Sequence, residues 1–73
     1  DVETRIVQIL LELADGKGEI KLEVSKRDLA SHMGMSQETL SRKLSHFQDE
    51  GWIKLIGHRK IIILDEDSLR KLL

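Results

Sequence analysis

The chain has 73 residues, 40% hydrophobic and 34% charged, which suits one small globular domain and excludes a disordered chain. It has no cysteine and no apolar run long enough to cross a bilayer, which excludes disulfide frameworks and thiolate metal sites and gives no sign of a membrane partner. The net charge is −1, but residues 1–24 carry three basic and six acidic groups, whereas residues 25–64 carry seven basic and four acidic ones. This uneven distribution is a weak indication of a nucleic-acid partner.

The first predicted element is an amphipathic helix in "DVETRIVQILLELA". Apolar residues recur on one side of it at about 100° per residue: Val2, Ile6, Ile9, Leu10 and Leu13. Leu11 falls on the opposite side. It is expected either to be exposed to solvent or to contact another part of a longer protein. Because the chain starts at Asp1 instead of methionine and a helix begins at once, we expect residues 1–73 to be one domain of a longer protein.

A short strand and a second helix follow the glycines of "DGKG". "EIKLEV" alternates charged and apolar residues, which predicts a half-buried strand. Ser25 stands three residues before Asp28, a capping-box spacing that starts a helix. We expect this helix to turn Leu29, Ala30 and Met33 inward and to end at Gly34.

The third helix is predicted from its cap Ser36 to about Glu50, with Leu40, Leu44 and Phe47 inward. "WIKLI" and "KIIIL" then flank Gly57-His58-Arg59 as a β-hairpin, and "DEDSLRKLL" is a terminal helix. The order predicts an α+β, mainly α, winged helix-turn-helix: a three-helix core, a short strand and a two-stranded hairpin wing. Gly34 is then the hinge between two helices.

Polar residues collect on the other side of the third helix: Gln37, Glu38, Ser41, Arg42 and Ser45. In a helix-turn-helix the second helix enters the major groove and its N-terminal residues meet base edges. An arginine can donate two hydrogen bonds to guanine, and a glutamate can accept from cytosine. The alternative is that Glu38 and Arg42 form an ordinary solvent-exposed i,i+4 pair.

Contacts to the DNA backbone are expected from residues around this face and from the hairpin tip. The candidates are Lys26, Arg27, Ser36, Thr39, Lys43, Ser45, Arg59 and Lys60, with His58 also at the tip.

The sequence from the second helix to the hairpin resembles a known family. "SKRDLASHMGMSQETLSRKLSHFQDEGWIKLIGHRKIIILD" is similar to the C-terminal DNA-binding domain of the Crp/FNR regulators of bacterial transcription. "ETLSRKLSHFQDEGWI" is close to the family pattern E-T-x-S-R-x-L-x-x-F-Q-x-x-G-x-I. The resemblance implies that Glu38, Ser41 and Arg42 read bases and that the E-x-x-S-R form selects TTGAT-like half-sites. Gln37 and Lys43 depart from the usual family residues.

The resemblance also implies partners outside this chain. These are a palindromic double-stranded DNA site, a second copy that forms a homodimer through an N-terminal effector region, and RNA polymerase. The resemblance also implies a cytoplasmic location. No cofactor is expected within residues 1–73, because the effector would bind the N-terminal region.

Two other functions compete with DNA binding. The first is a winged helix that docks proteins without binding DNA, which the near-neutral charge leaves open. The second is a metalloenzyme. His32, His46 and His58 lie on separate elements without an acidic partner at ligand spacing, so we expect neither a metal site nor a catalytic residue.

Overall fold

The computed structural model describes residues 1–73 and contains four helices and three strands. The helices are α1 Val2–Ala14, α2 Lys26–His32, α3 Gln37–Asp49 and α4 Glu66–Arg70. The strands are β1 Glu19–Lys21, β2 Ile53–Ile56 and β3 Lys60–Ile63. The winged helix-turn-helix fold predicted from the sequence is confirmed.

The turn between α2 and α3 has the residues that such a turn requires. Gly34 adopts a φ of +71°, in the left-handed region that side chains with a Cβ rarely enter. On either side a serine caps a helix. The Ser25 hydroxyl accepts from the N–H of Asp28 at 3.1 Å, and the Ser36 hydroxyl accepts from the N–H of Thr39 at 3.0 Å. Local sequence therefore fixes both helix starts and the bend before α3.

The three strands form one antiparallel sheet in the order β1-β3-β2. β2 and β3 are the hairpin, called the wing below (residues 53–63). β1 pairs along the other edge of β3, with Ile20 opposite Ile61. Just beyond β1, the N–H of Leu22 donates to the carbonyl of Arg59 at 2.7 Å. The short strand is therefore part of the wing's sheet, which holds the wing tip beside the start of α2.

Fourteen apolar side chains make the core, and no buried polar side-chain atom lacks a partner. α3 contributes Leu40, Leu44 and Phe47, each at most 1% exposed, as the sequence predicts. The other members are Ile6, Val7, Leu10, Ala14, Ile20, Leu22, Ala30, Met33, Ile53, Ile61 and Leu69. Every helix and strand contributes at least one of these side chains to the core.

Three expectations about which residues face the core are wrong. Leu13 is 47% exposed, because the buried side of α1 is turned toward Val7 and Ala14. Leu11, expected on the exposed side, is instead half-buried against the core. α1 is apolar over a wider arc than the core covers, so periodicity alone did not locate the centre of its buried side. Val24 is 39% exposed because β1 ends at Lys21 and the alternation stops there.

None of the helices has the length and apolar content that crossing a bilayer requires.

Candidate nucleic-acid interface

The exposed side of α3 carries a row of polar side chains, called the reading face below: Glu38, Ser41, Arg42 and Ser45. Together with His46 and Asp49 they line one open depression that has no hydrophobic residue in its wall. The buried Leu40, Leu44 and Phe47 anchor the opposite side of the same helix. Because their backbone is a well-packed helix, the polar side chains start from fixed positions.

Arg42 and Glu38 form an ion pair one helical turn apart. Their side chains remain 78% and 70% exposed, so no other element of the protein covers them. A guanidinium has five N–H donors in a fixed fork, so an arginine paired to a carboxylate keeps donors for a second partner. The carboxylate likewise keeps acceptor capacity. The pair therefore presents both hydrogen-bond donors and hydrogen-bond acceptors on the outer side of α3.

Gln37 lies apart from the reading face, in a separate notch. The notch joins the starts of α2 and α3 to the wing tip, and it is lined by Ser25, Lys26, Gln37, His58 and Arg59. The notch thus brings together groups from the start of α2, the start of α3 and the wing tip. They are two cationic side chains, an imidazole, an amide and a hydroxyl. Such a set suits an anionic oxygen of a nucleic-acid backbone.

The sequence predicted that Lys26 and Arg59 contact the DNA backbone, but it did not predict that the two side chains lie side by side. The β1–β3 pairing does so, because it draws the wing tip toward α2. The Arg59 guanidinium also donates to the carbonyl of Glu23 at 3.0 Å, which holds the side chain across the gap. The notch therefore depends on pairing between residues about 40 positions apart in the chain.

Other predicted backbone contacts lie near these two sites but have partners within the protein. The Lys43 ammonium is 3.1 Å from a carboxylate oxygen of Glu3 on α1. The Thr39 hydroxyl accepts from Ser36 at 2.9 Å. These residues stay candidates, with their charge or hydroxyl shared with a neighbour.

Lys60 and Arg27 complete the predicted set. The Lys60 ammonium is 3.0 Å from Glu19 on β1. The hydrogen bond from Lys60 and then its positive charge lower the pKa of Glu19 below its usual value. Arg27 is exposed near the start of α2. The positive charge of Lys60 is therefore already balanced by Glu19 before any DNA phosphate approaches it.

The three histidines do not come together, and no group of three or more histidine and carboxylate side chains is placed to hold a metal ion. The His46 ring lies 6.0 Å from that of Trp52 in an edge-on arrangement.

A winged helix-turn-helix with a polar, outward-facing third helix defines a class: the DNA-binding domains of transcription regulators. Comparison with known proteins agrees. Residues 4–72 match the Crp-like helix-turn-helix domain, so the chain belongs to that family and is a DNA-binding domain of a Crp/FNR-type transcription regulator. The resemblance seen in the sequence is confirmed, and nothing in the comparisons supports a protein-docking module instead.

The similar proteins are bacterial regulators. The nitrogen fixation regulation protein FixK of Azorhizobium caulinodans is 32% identical and covers 96% of this chain. A CRP-like cAMP-activated global transcriptional regulator of Mycobacterium tuberculosis is 30% identical over 97% of this chain. The match covers 32% of the first protein and 34% of the second, so the chain spans about a third of the length of these relatives.

Solved structures give the same result. FixK2 from Bradyrhizobium japonicum superimposes with a TM-score of 0.90 at 29% identity, over 99% of this chain and 38% of that one. A putative transcriptional regulator of the crp/fnr family from Eubacterium rectale superimposes with a TM-score of 0.82 at 35% identity, over 99% of this chain and 33% of that one. Because these relatives are regulators and not enzymes, a binding function is the one the comparisons support.

Proposed function

We propose that the chain reads specific base pairs by placing α3 in the major groove of double-stranded DNA, with Glu38, Ser41 and Arg42 facing the bases. The single observation that carries the proposal is the Arg42–Glu38 pair, which stands exposed on a helix whose other side is buried. Arginine can donate to O6 and N7 of guanine while a carboxylate accepts from the N4 amine of cytosine. The pair can therefore distinguish a G·C step from its alternatives.

Backbone contacts would surround this centre. The notch residues Lys26 and Arg59 would bind one phosphate region beside the N-terminus of α3. Ser36, Thr39 and Lys43 would approach the strand along α3, and Arg27, Ser45 and Lys60 would add outer contacts. Gln37, at the rim of the notch, would contact an outer base pair or the adjoining phosphate. Such contacts fix the pose of the domain on the duplex and make its affinity depend on salt.

The DNA site would be a palindrome with TTGAT-like half-sites. The E-x-x-S-R arrangement of Glu38, Ser41 and Arg42 is the feature that favours this half-site. Two copies would occupy half-sites about one helical turn apart, with their centres roughly 34–36 Å from each other. Residues 1–73 would be one domain of a longer, cytoplasmic regulator. The dimer contacts would lie in the rest of that regulator, which would also contact RNA polymerase. An effector, if bound, would bind outside these residues.

A binding assay tests the proposal directly. The fluorescence anisotropy of a labelled palindromic TTGAT duplex is titrated with the 73-residue chain at low salt, beside a scrambled duplex of equal length. We expect preference for the palindrome, and Arg42→Ala should weaken binding by about 1–3 kcal/mol.

The chain offers a matched control for this substitution. Arg70 on α4 forms the same i,i+4 pair with Glu66, at 2.7 Å, away from the reading face. Arg70→Ala removes the same charge and the same kind of pair, so it should leave the preference for the palindrome intact. Equal losses in the two variants would reject base reading by Arg42. Absence of binding to either duplex would reject DNA binding and favour a protein partner.

A further inference from the structure

The wing is held at both edges by contacts outside its own hairpin. On the β3 edge, β1 pairs with the strand, and Leu22 and Glu23 bond to Arg59. On the β2 edge, the backbone N–H of Leu55 donates to the side-chain oxygen of Gln48, at 2.7 Å. Gln48 belongs to the last turn of α3. The base of the wing is already attached to α3 by buried Ile53 and by the backbone N–H of Trp52, which donates to the carbonyl of Phe47 at 3.0 Å. The Gln48 side chain adds a hydrogen bond farther along β2.

Gln48 is well placed to control the angle of the wing. Among the side-chain hydrogen bonds of the protein, its contact with Leu55 is the one that joins α3 to the wing. An outward N–H in an edge strand otherwise bonds to water or to another chain, neither of which fixes the strand to α3. The amide oxygen of Gln48 instead fixes the middle of β2 to a helix that is itself anchored by buried Phe47 and Leu44.

Gln48 is also distant from the bases that α3 would read. Ten residues separate it from Glu38, which is about 15 Å along a helix. It can therefore change the position of the wing without touching the Glu38–Arg42 pair, and Ser45 is the one member of the reading face that lies within a helical turn of it. The wing tip carries Arg59, whose guanidinium lines the notch with Lys26.

We propose that Gln48 is a positioning residue for DNA binding: its bond to Leu55 sets where the wing tip, and with it Arg59, meets the phosphate backbone when α3 occupies the groove. The inference rests on the proposed function. Loss of the bond should remove the wing's phosphate contact and leave base preference unchanged.

The test compares a change at Gln48 that keeps the side-chain length with a truncation of Arg59. Gln48→Met keeps the length of the side chain but removes its amide oxygen. We expect the plot of log affinity against log salt concentration to become shallower by about 0.9, the value of one phosphate contact. Arg59→Ala should give the same change, and the double variant should lose no more than either single variant, because both remove one contact. The ratio of affinities for the TTGAT palindrome and a base-substituted duplex should stay constant.

Two further variants separate positioning from stability. Gln8→Met makes the same chemical change at an exposed glutamine of α1 that has no side-chain hydrogen bond, and it should leave the salt slope unaltered. Gln48→Glu keeps an acceptor for Leu55. It should retain the slope and the slow hydrogen exchange of the Leu55 amide, even if the added charge lowers affinity for every duplex.

A Gln48→Met chain with the wild-type salt slope would overturn the inference, as would additive losses in the double variant or a changed base preference. Failure of the wild-type chain to bind any duplex would instead overturn the proposed function, and with it this inference. The two failures are therefore distinguishable.

Discussion

Arg42 pairs with Glu38 on α3 in a place that no other part of the protein covers. An exposed ion pair of this kind adds little to stability, typically below about 1 kcal/mol, because water screens the charges and two long side chains lose freedom. Its main consequence is orientation. Each partner restricts the other, so the guanidinium fork and the carboxylate stay close together at the surface of α3.

The hinge between α2 and α3 should tolerate a side chain poorly. Gly34 has a φ of +71°, and a Cβ built there would lie 3.8 Å from the Arg5 guanidinium, an ordinary contact. Strain in the backbone, not a clash, therefore sets the cost. Gly34→Ala should lower the free energy of unfolding by about 1–2 kcal/mol in urea denaturation. Gly34→Asn should lose less, because asparagine adopts this conformation more readily; equal losses would contradict the backbone explanation.

The salt dependence of DNA binding should identify the cations in the notch. Lys26 and Arg59 line it from different elements, so each should contribute its own phosphate contact. Lys26→Met should reduce the slope of log affinity against log salt by about 1. Lys71→Met serves as the control, because Lys71 is an exposed cation just after α4 and outside the notch. Equal slopes for the two variants would show that the notch does not bind the backbone.

The Glu3–Lys43 pair should restrain DNA binding slightly. The Glu3 carboxylate lies against the Lys43 ammonium, which is predicted to contact a DNA phosphate, so carboxylate and phosphate compete for the same cation. Glu3→Gln should strengthen binding at low salt by up to about 1 kcal/mol, the range for a surface ion pair. Lys43→Met in the same background should cancel the gain. Glu12→Gln removes a negative charge from an exposed site of the same helix and is the control. A gain that survives Lys43→Met would mean that Lys43 does not contact the backbone.

Stability at acid pH should depend on Asp65. Hydrogen bonds from the hydroxyl and then the backbone N–H of Ser68 lower the pKa of this carboxyl at the start of α4. A lowered pKa in the folded state gives stability that is present above the unfolded-state pKa, about 3.9 for aspartate, and is lost as pH falls below it. Asp65→Asn retains a capping side chain that does not titrate.

The corresponding measurement is the denaturation midpoint of both chains from neutral to acid pH. The advantage of wild type over Asp65→Asn should shrink as pH falls below about 4. A difference that stays constant down to the lowest pH would contradict a role for the ionised carboxylate. Glu19, whose pKa is lowered by Lys60, should lower the stability of both chains in the same acid range and therefore cancel from their difference.

Local patterns predicted α3 and its surroundings correctly. Ser36, Gly34 and the spacing of Leu40, Leu44 and Phe47 act within a few residues of one another, so the sequence contains the helix start, the hinge and the buried side. The exposed reading face follows from that buried side, because residues between the apolar positions of a helix must face outward.

The contacts that depend on distant residues were not predictable in the same way. The pairing of β1 with β3 joins residues about 40 apart, and no local period encodes it. The bond from Leu55 to Gln48 depends on the angle between a helix and a strand. The pair formed by Lys43 with Glu3 likewise depends on how α1 crosses α3. Charge alone could suggest that Lys26 and Arg59 bind phosphate, but not that they share one notch.

The most direct test of the account is a double-mutant cycle between Arg42 and one base pair. Affinities are measured for wild type and Arg42→Ala on the TTGAT palindrome and on duplexes in which the G·C pair of each half-site is replaced by A·T. If Arg42 reads that guanine, the base change should cost wild type about 1–3 kcal/mol per site and cost Arg42→Ala almost nothing. Equal costs for both proteins would show that Arg42 does not read the base, and would contradict the account.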